Sequence, residues 1–381
     1  MPLLDINDLT VRYRGDAGEV HAVEDASFSI EPGETFGLVG ESGCGKTTLG
    51  KAILRLLDDN GSVETGEVWL DSLLPEWRDA EGRPLPRAID DPAIPVRSDG
   101  MMDLTALTNE QIRRVRWRTI SMIPQSAMNA LNPVYQVGDQ IVEAIKLHEP
   151  GTTDSEARAT TASLLERVGI DRDRMDDYAH EFSGGMRQRA VIAMAMACNP
   201  DLVIADEPTT ALDVIIQDRV LDAITALQED FGVSMLIISH DISVMAETCD
   251  RLAIMYGGRL MESGTTEQIF EEPANPYTLG LQNSFPSIEE RQEQLLSIPG
   301  TPPTLIDPPE ECRFADRCPF ATNECRAGHP PMFDVQAAVA GRTRKATGDS
   351  HHRSACYRLD ILDEMRETAD QEDTWQDVQT H

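Results

Sequence analysis

Residues 182–213 read FSGGMRQRAVIAMAMACNPDLVIADEPTTALD, and the order of parts within them decides the fold. A Gly-Gly turn, Ser183-Gly184-Gly185, stands directly before an apolar-rich segment with helical spacing. A buried strand is expected at 201–205, delivering Asp206 and Glu207 at its C-terminal end. After a Pro turn come Ala211, Leu212 and Asp213. A helix N-terminus suited to an anion therefore lies close in sequence to two carboxylates suited to Mg²⁺ and a water. Neither half is useful without a triphosphate, so another part of the chain must bind one.

That part lies near the N-terminus. Residues 3–13 and 22–30 read as strands joined by the polar turn RGDAGE, and 34–39 as a short buried strand. Gly40-Glu41-Ser42-Gly43-Cys44-Gly45-Lys46-Thr47-Thr48 follows and leads into a helix expected to reach about residue 57. This is G-x-x-x-x-G-K-[ST] in its required context of strand, loop and helix. Glycines let backbone N–H groups turn inward around phosphate oxygens, and the helix dipole adds to their pull. Lys46 can reach the β- and γ-phosphates and Thr47 can ligate Mg²⁺. Cys44 occupies a variable position and reads as incidental.

The remaining segments fill in an open α/β pattern. Residues 65–70 read as a strand and 75–100, rich in Pro, Asp and Arg, as a surface loop. Thr108-Asn109-Glu110-Gln111 is a capping box for a helix to about 118. A strand at 119–123 ends in Pro124-Gln125, where a Gln can bond to a metal-bound water. The pattern from 137 to about 168 is helical, 171–177 is a charged loop, and a helix is expected over 214–230. An apolar strand at 233–239 ends in His240, at the edge where open α/β sheets bind ligands. Residues 251–256 and 259–264 form a hairpin around Gly257-Gly258.

Beyond about Ser263 prolines cluster and periodicity weakens. Four of the seven cysteines fall here, Cys312, Cys318, Cys325 and Cys356, at C-x5-C-x6-C-x30-C. The spacing fits neither compact zinc pairs nor a redox C-x-x-C; four thiols in a Pro-rich segment suggest a metal or iron–sulfur staple, with four free thiols as the alternative. The stretch from Tyr357 is strongly acidic and is expected to fray, apart from a helical turn or two around 359–365.

Composition sets the class. The net charge is −33, with 66 acidic against 33 basic residues, of which only Lys46, Lys51, Lys146 and Lys345 are Lys. Such a field repels nucleic acid and anionic lipid. It reads as the solvated acidic surface of a protein from a high-salt cytoplasm. No secretory start and no run of about 18 apolar residues is visible. An odd number of cysteines in an unsecreted chain favours thiols or metal ligands over a disulfide framework.

Taken together, the motifs resemble those of ABC-transporter ATP-binding subunits. Gly40–Thr48 is similar to Walker A, Gln125 to the Q-loop and Ser183–Arg189 to the signature. Leu202–Glu207 is similar to Walker B, Ala211–Asp213 to the D-loop and His240 to the H-loop. QSAMNALNP, HEFSGGMRQR, NPYT and CRFADRCPFA resemble the oligopeptide/dipeptide/nickel importer branch, in some members of which the four cysteines hold a [4Fe-4S] cluster. Phe182 and Met186 replace the commoner Leu and Gln of the signature, as that branch often does.

The resemblance implies an α/β P-loop NTPase cassette over 1–263, with a RecA-like core, an antiparallel β-subdomain and a helical signature subdomain at about 126–190. A Cys-containing extension over 264–357 and an acidic tail over 358–381 complete it. It further implies ATP held by Tyr13 (stacked on adenine, with a core aromatic as the alternative), Gly40, Glu41, Ser42, Gly43, Cys44, Gly45, Lys46, Thr47 and Thr48. Mg²⁺ would sit with Thr47, Gln125 and Asp206. Glu207 would polarise the attacking water and His240 orient the γ-phosphate, with Lys46 and Gln125 assisting. Ser183, Gly184 and Gly185 would serve the ATP of an opposite subunit, paired head to tail. Implied partners are a second ATP-binding subunit, transmembrane permease subunits, and through them an extracytoplasmic solute-binding protein, at the cytoplasmic face of the membrane. Peptides are the implied cargo, with nickel or oligosaccharides as alternatives. A soluble non-transport ABC ATPase is the rival class.

Overall fold

The computed structural model describes residues 1–71, 95–125, 129–210, 213–284, 298–342, 345–346 and 350–376. Ala211, Leu212 and most of the expected 75–100 loop lie outside the described residues.

Three apolar runs build the centre of the molecule: β3 (Thr35–Val39), β7 (Leu202–Asp206) and β8 (Ser234–Ser239), every residue of each buried. Strands buried on both faces need cover on both, which is the signature of a parallel sheet. Alternate residues go to opposite faces. Val203, Ala205, Met235 and Ile237 join one apolar cluster, whereas Leu202, Ile204, Leu236 and Ile238 join another on the far side. With β6 (Ile120–Ile123) and β9 (Arg251–Tyr256), these strands form a five-stranded parallel array in the order β9-β3-β8-β7-β6. The helix α1 (Lys46–Ile53) leaves β3 through the glycine-rich loop.

An antiparallel layer of β1 (Leu4–Gly15), β2 (Gly18–Ile30), β4 (Gly61–Leu70) and β5 (Met102–Asp103), in the order β2-β1-β4-β5, covers one side. Thr108 caps α2 (Asn109–Val115) with the expected capping box to Gln111. The helical pattern from 137 to 168 resolves into two helices, α3 (Val137–His148) and α4 (Asp154–Arg167). Gly151, at φ 106°, breaks it, and a second capping box between Thr153 and Glu156 restarts it. The charged loop at 171–177 contains a 3₁₀ turn, Arg172–Asp176. The signature turn then opens α5 (Gly184–Ala195), and α6 (Val214–Phe231) follows β7.

The sheet does not stop at Ser263. The strand β10 (Arg259–Thr265) pairs with β9 and also with β12 (Arg353–Ser354), which pairs in turn with β11 (Phe333–Asp334). The Pro-rich segment thus extends the same eight-stranded sheet. The acidic stretch is ordered beyond the helical turn expected of it. Residues Leu362–Thr368 and Glu372–Gln376 are helical, and Trp375 is buried, with its indole Nε1 donating to Ala369 O at 2.7 Å. The expected fraying is therefore corrected: aromatic burial outweighs the local charge repulsion.

Candidate nucleotide site

The loop between β3 and α1 is shaped by what lies behind it. A Cβ on Gly40 would meet Met255 O at 2.0 Å, and one on Gly45, at φ 105°, would meet Ala22 O at 2.1 Å. Side chains there would force the loop off the sheet, so glycine is required. Gly258 N–H donates to Cys44 O at 2.9 Å and secures the loop from the β9–β10 turn. Cys44 is buried beneath it, and that burial raises its thiol, as expected of an unreactive position.

Lys46 is buried, its ammonium donating to Gly40 O at 2.6 Å and Glu41 O at 3.0 Å. The Thr47 hydroxyl donates to Asp206 Oδ1 at 3.0 Å. Burial raises the Asp206 carboxyl despite that bond, and the Glu207 charge adds to the rise. A hydroxyl, an acidic oxygen and the nearby Gln125 make the hard oxygen donor set that Mg²⁺ prefers.

Glu207 takes a left-handed backbone, φ 47°, directly after β7, and its N–H donates to Ile238 O at 2.8 Å. Strain of this kind in a non-glycine residue is a feature of functional sites. Its Oε2 accepts from Gln125 Nε2 at 2.8 Å and from Thr210 Oγ1 at 2.8 Å, while His240 Nδ1 lies 3.4 Å from Oε1. Burial pushes the carboxyl up, but the bonds from Thr210 and Gln125, with His240, outweigh it and hold Glu207 below its ordinary value. An ionised carboxylate fixed at three points can accept a proton from, or polarise, a water in front of it.

Tyr13, Ser42, Gly43, Gly45, Lys46, Thr47, Thr48, Gln125 and Glu207 line one cleft. Val20, Ala22 and Leu305 line it too, and no motif in the sequence marks any of them. Ser183, Gly184 and Gly185 are not among its lining residues. Ser183 caps α5, its side chain accepting from Met186 N–H at 3.3 Å.

Comparison with known proteins accounts for this arrangement. The sequence profile described as ABC transporter matches residues 23–210, and that of the oligopeptide/dipeptide transporter C-terminal region matches 261–325. A Brucella ovis protein provisionally named a peptide import ATP-binding protein is 41% identical, covering 94% of this chain and 97% of its own. The oligopeptide transport ATP-binding protein of Haemophilus influenzae is 40% identical over 85% of this chain and 92% of its own. The chain belongs to the ABC transporter family. It is an ATP-hydrolysing cassette of that family. Two solved structures share the fold. One is the dimeric post-hydrolysis state of the cassette MJ0796 with ADP and Pi, at TM-score 0.55 and 21% identity, covering 69% of this chain and 98% of that one. The other is CbiO1 from Clostridium perfringens, at TM-score 0.53 and 22% identity, covering 71% and 91%.

Two further features of this ABC cassette were not singled out from its sequence. Thr210, three residues after Glu207, holds the carboxylate, a signal available in the EPTT run. Tyr277, within the NPYT stretch, accepts through its hydroxyl from Glu41 N–H at 3.1 Å. In the extension, Cys312, Cys318, Cys325 and Cys356 line one narrow cavity and none is in a disulfide. Burial pushes Cys312 up to about 11 and Cys356 up to about 12. Among the described residues no three His, Cys, Asp or Glu side chains form a group set to hold a metal ion.

Proposed function

We propose that this cassette energises the import of peptides, dipeptides or oligopeptides, through a membrane permease. The observation that carries this reading is the succession of two matches on one chain, an ABC cassette and the oligopeptide/dipeptide C-terminal region. The names of its relatives point the same way. Among the described residues no helix is long and apolar enough to cross a membrane, and the permease is read as separate subunits. The cassette docks on the permease at the cytoplasmic face with a second ATP-binding subunit, and the permease receives cargo from an extracytoplasmic solute-binding protein.

Within the site, Lys46 and the loop amides hold the phosphates, and Tyr13 with Leu305 flanks the base. Thr47, Asp206 and Gln125 hold Mg²⁺, which neutralises phosphate charge when bound. Glu207 polarises the water and His240 steers the γ-phosphate. Positioning and charge stabilisation carry phosphoryl transfer to water. Ser183, Gly184 and Gly185 complete the partner's site, which fits their absence from this chain's own cleft. Support also comes from the bonds that aim Glu207 and from the Thr47–Asp206 pair.

The test reconstitutes the cassette in vesicles with permease subunits, a second ATP-binding subunit and a solute-binding protein of the oligopeptide-importer type. Peptide on the binding-protein side should stimulate ATP hydrolysis several-fold and accumulate inside. Stimulation by nickel or oligosaccharide alone would reassign the cargo; no association with any permease would overturn the reading.

The four-cysteine cavity is the proposed seat of a [4Fe-4S] cluster. Four unpaired thiols lining one cavity support it, as thiolates are the donors iron–sulfur clusters take; their lack of a preformed ligand geometry counts against it. Anaerobically purified protein should be brown and absorb near ~400 nm. Zinc alone, or no metal, would exclude the cluster. The acidic surface is in turn proposed as an adaptation to a high-salt cytoplasm.

A further inference from the structure

The phosphate-binding loop carries a carboxylate of its own, Glu41. A negative charge in the loop that must wrap a triphosphate opposes binding unless it is neutralised. The neutralising group comes from the Cys-bearing extension. Arg317 Nη1 donates to Glu41 Oε2 at 2.8 Å and Nη2 to Oε1 at 3.0 Å, a parallel fork. Such a pair fixes direction as well as charge.

Arg317 is only 6% exposed and fully employed. Its Nε donates to Pro299 O at 2.8 Å, Nη1 also to Tyr256 OH at 3.0 Å, and Nη2 also to Ile298 O at 3.3 Å. One guanidinium thus ties the loop to β9 and to residues 298–299 of the extension. The Tyr277 hydroxyl holds the backbone of the same Glu41, and its ring packs against Tyr256 and Phe314 at centroid distances of 4.6 Å and 5.3 Å.

Two other contacts bind the extension to the cleft. His21 N–H donates to Leu305 O at 2.8 Å and Asp307 N–H to Glu19 O at 2.9 Å, so residues 305–307 run along β2 and bring Leu305 to the cleft wall. Arg313 is buried and donates to Glu24 of β2 and to Gly257 O.

We propose that Arg317 is a positioning residue for the nucleotide, neutralising and orienting Glu41 so that the phosphate loop is held receptive, and that the extension is thereby a working part of the ATP site. The proposal rests on the ATP-site reading above. It predicts a particular pattern of rescue. Removing Arg317 leaves a half-buried carboxylate on the phosphate loop without its cation; removing that carboxylate as well relieves the fault.

The experiment measures the affinity of the purified full chain for a fluorescent ATP analogue, without hydrolysis, alongside thermal melting. Arg317→Met is expected to weaken binding on the order of tenfold or more, with Glu41→Gln in the same chain recovering most of the loss. Arg317→Lys, which keeps the charge but not the fork, is expected to fall between. If Arg317→Met does not fold, Arg317→Lys with and without Glu41→Gln makes the same comparison. Unchanged affinity in the arginine variants, or a loss that Glu41→Gln leaves in full while melting falls in step, overturns the proposal. Failure of the unaltered chain to bind the analogue would overturn the ATP-site reading instead.

Discussion

At Glu207 the proposed chemistry depends on one carboxylate being ionised and aimed, and three neighbours do both. Glu207→Gln keeps the shape and loses the charge. Nucleotide binding should persist while phosphate release falls by ~10²-fold or more, the usual scale for a positioned base; turnover near that of the unaltered chain would remove Glu207 from its role. Glu24 makes a different prediction, about stability. Burial pushes it up, but Arg313, Arg12 and Arg259 outweigh burial and depress it to about 2 from an ordinary 4.5. A depressed carboxylate stabilises the fold above its unfolded value and loses that contribution as pH falls through its folded one. Urea stability should therefore drop between about pH 4.5 and 2, with ~3 kcal/mol attributable to this group; Glu24→Gln should be less stable at pH 7 and show a shallower acid limb. The phosphate loop, Asp206 and Glu207 were legible in the sequence because their chemistry is local. Arg317 was not: its partner Glu41 lies 276 positions away, and no spacing encodes that.

At the scale of elements, what could be read was whatever had a period or a punctuation mark. Continuous apolar runs announced β3, β7 and β8, and the Thr108 capping box announced α2. Strands of two residues such as β11 and β12 have no period to detect; their pairing with β10 forms them. The last helix of the described residues, Glu372–Gln376, is a case in point, since its acidic sequence suggested fraying and its one aromatic decides otherwise. Trp375 fits against Gly280 and Ile298 in the main apolar cluster. Truncating a buried aromatic loses transfer energy and leaves a cavity, typically ~3–5 kcal/mol. Trp375→Ala should lower the unfolding free energy from urea titration by about the low end of that range, because a terminal helix can partly collapse into the space, with the midpoint falling and the slope unchanged. A loss of unfolding free energy under ~0.5 kcal/mol would mean the helix does not dock in solution.

For the whole molecule the dominant quantity is the excess of 66 acidic over 33 basic residues. Surface pairs such as Arg158 with Asp139 and Asp176, Arg167 with Asp230 and Lys146 with Asp154 oppose that repulsion locally. Exposed pairs contribute ~0–1 kcal/mol each, and salt weakens them. Acidic residues remain in excess by 33, and repulsion among like charges extends over a Debye length that shrinks from ~10 Å at 0.1 M salt to ~3 Å at 1 M. Two effects of salt therefore compete, loss of a few weak attractions against relief of many repulsions, and the net charge makes relief the larger. The melting temperature should rise with KCl, on the order of 5 °C or more between 0.1 and 1 M, with most of the rise at the low end where the screening length changes fastest. Sucrose at matched water activity, which excludes volume without screening, separates this from general preferential exclusion. A melting temperature that is flat or falling in KCl would show that the paired charges, not the excess, govern stability. It would also remove the physical basis for reading the acidic surface as an adaptation to high salt.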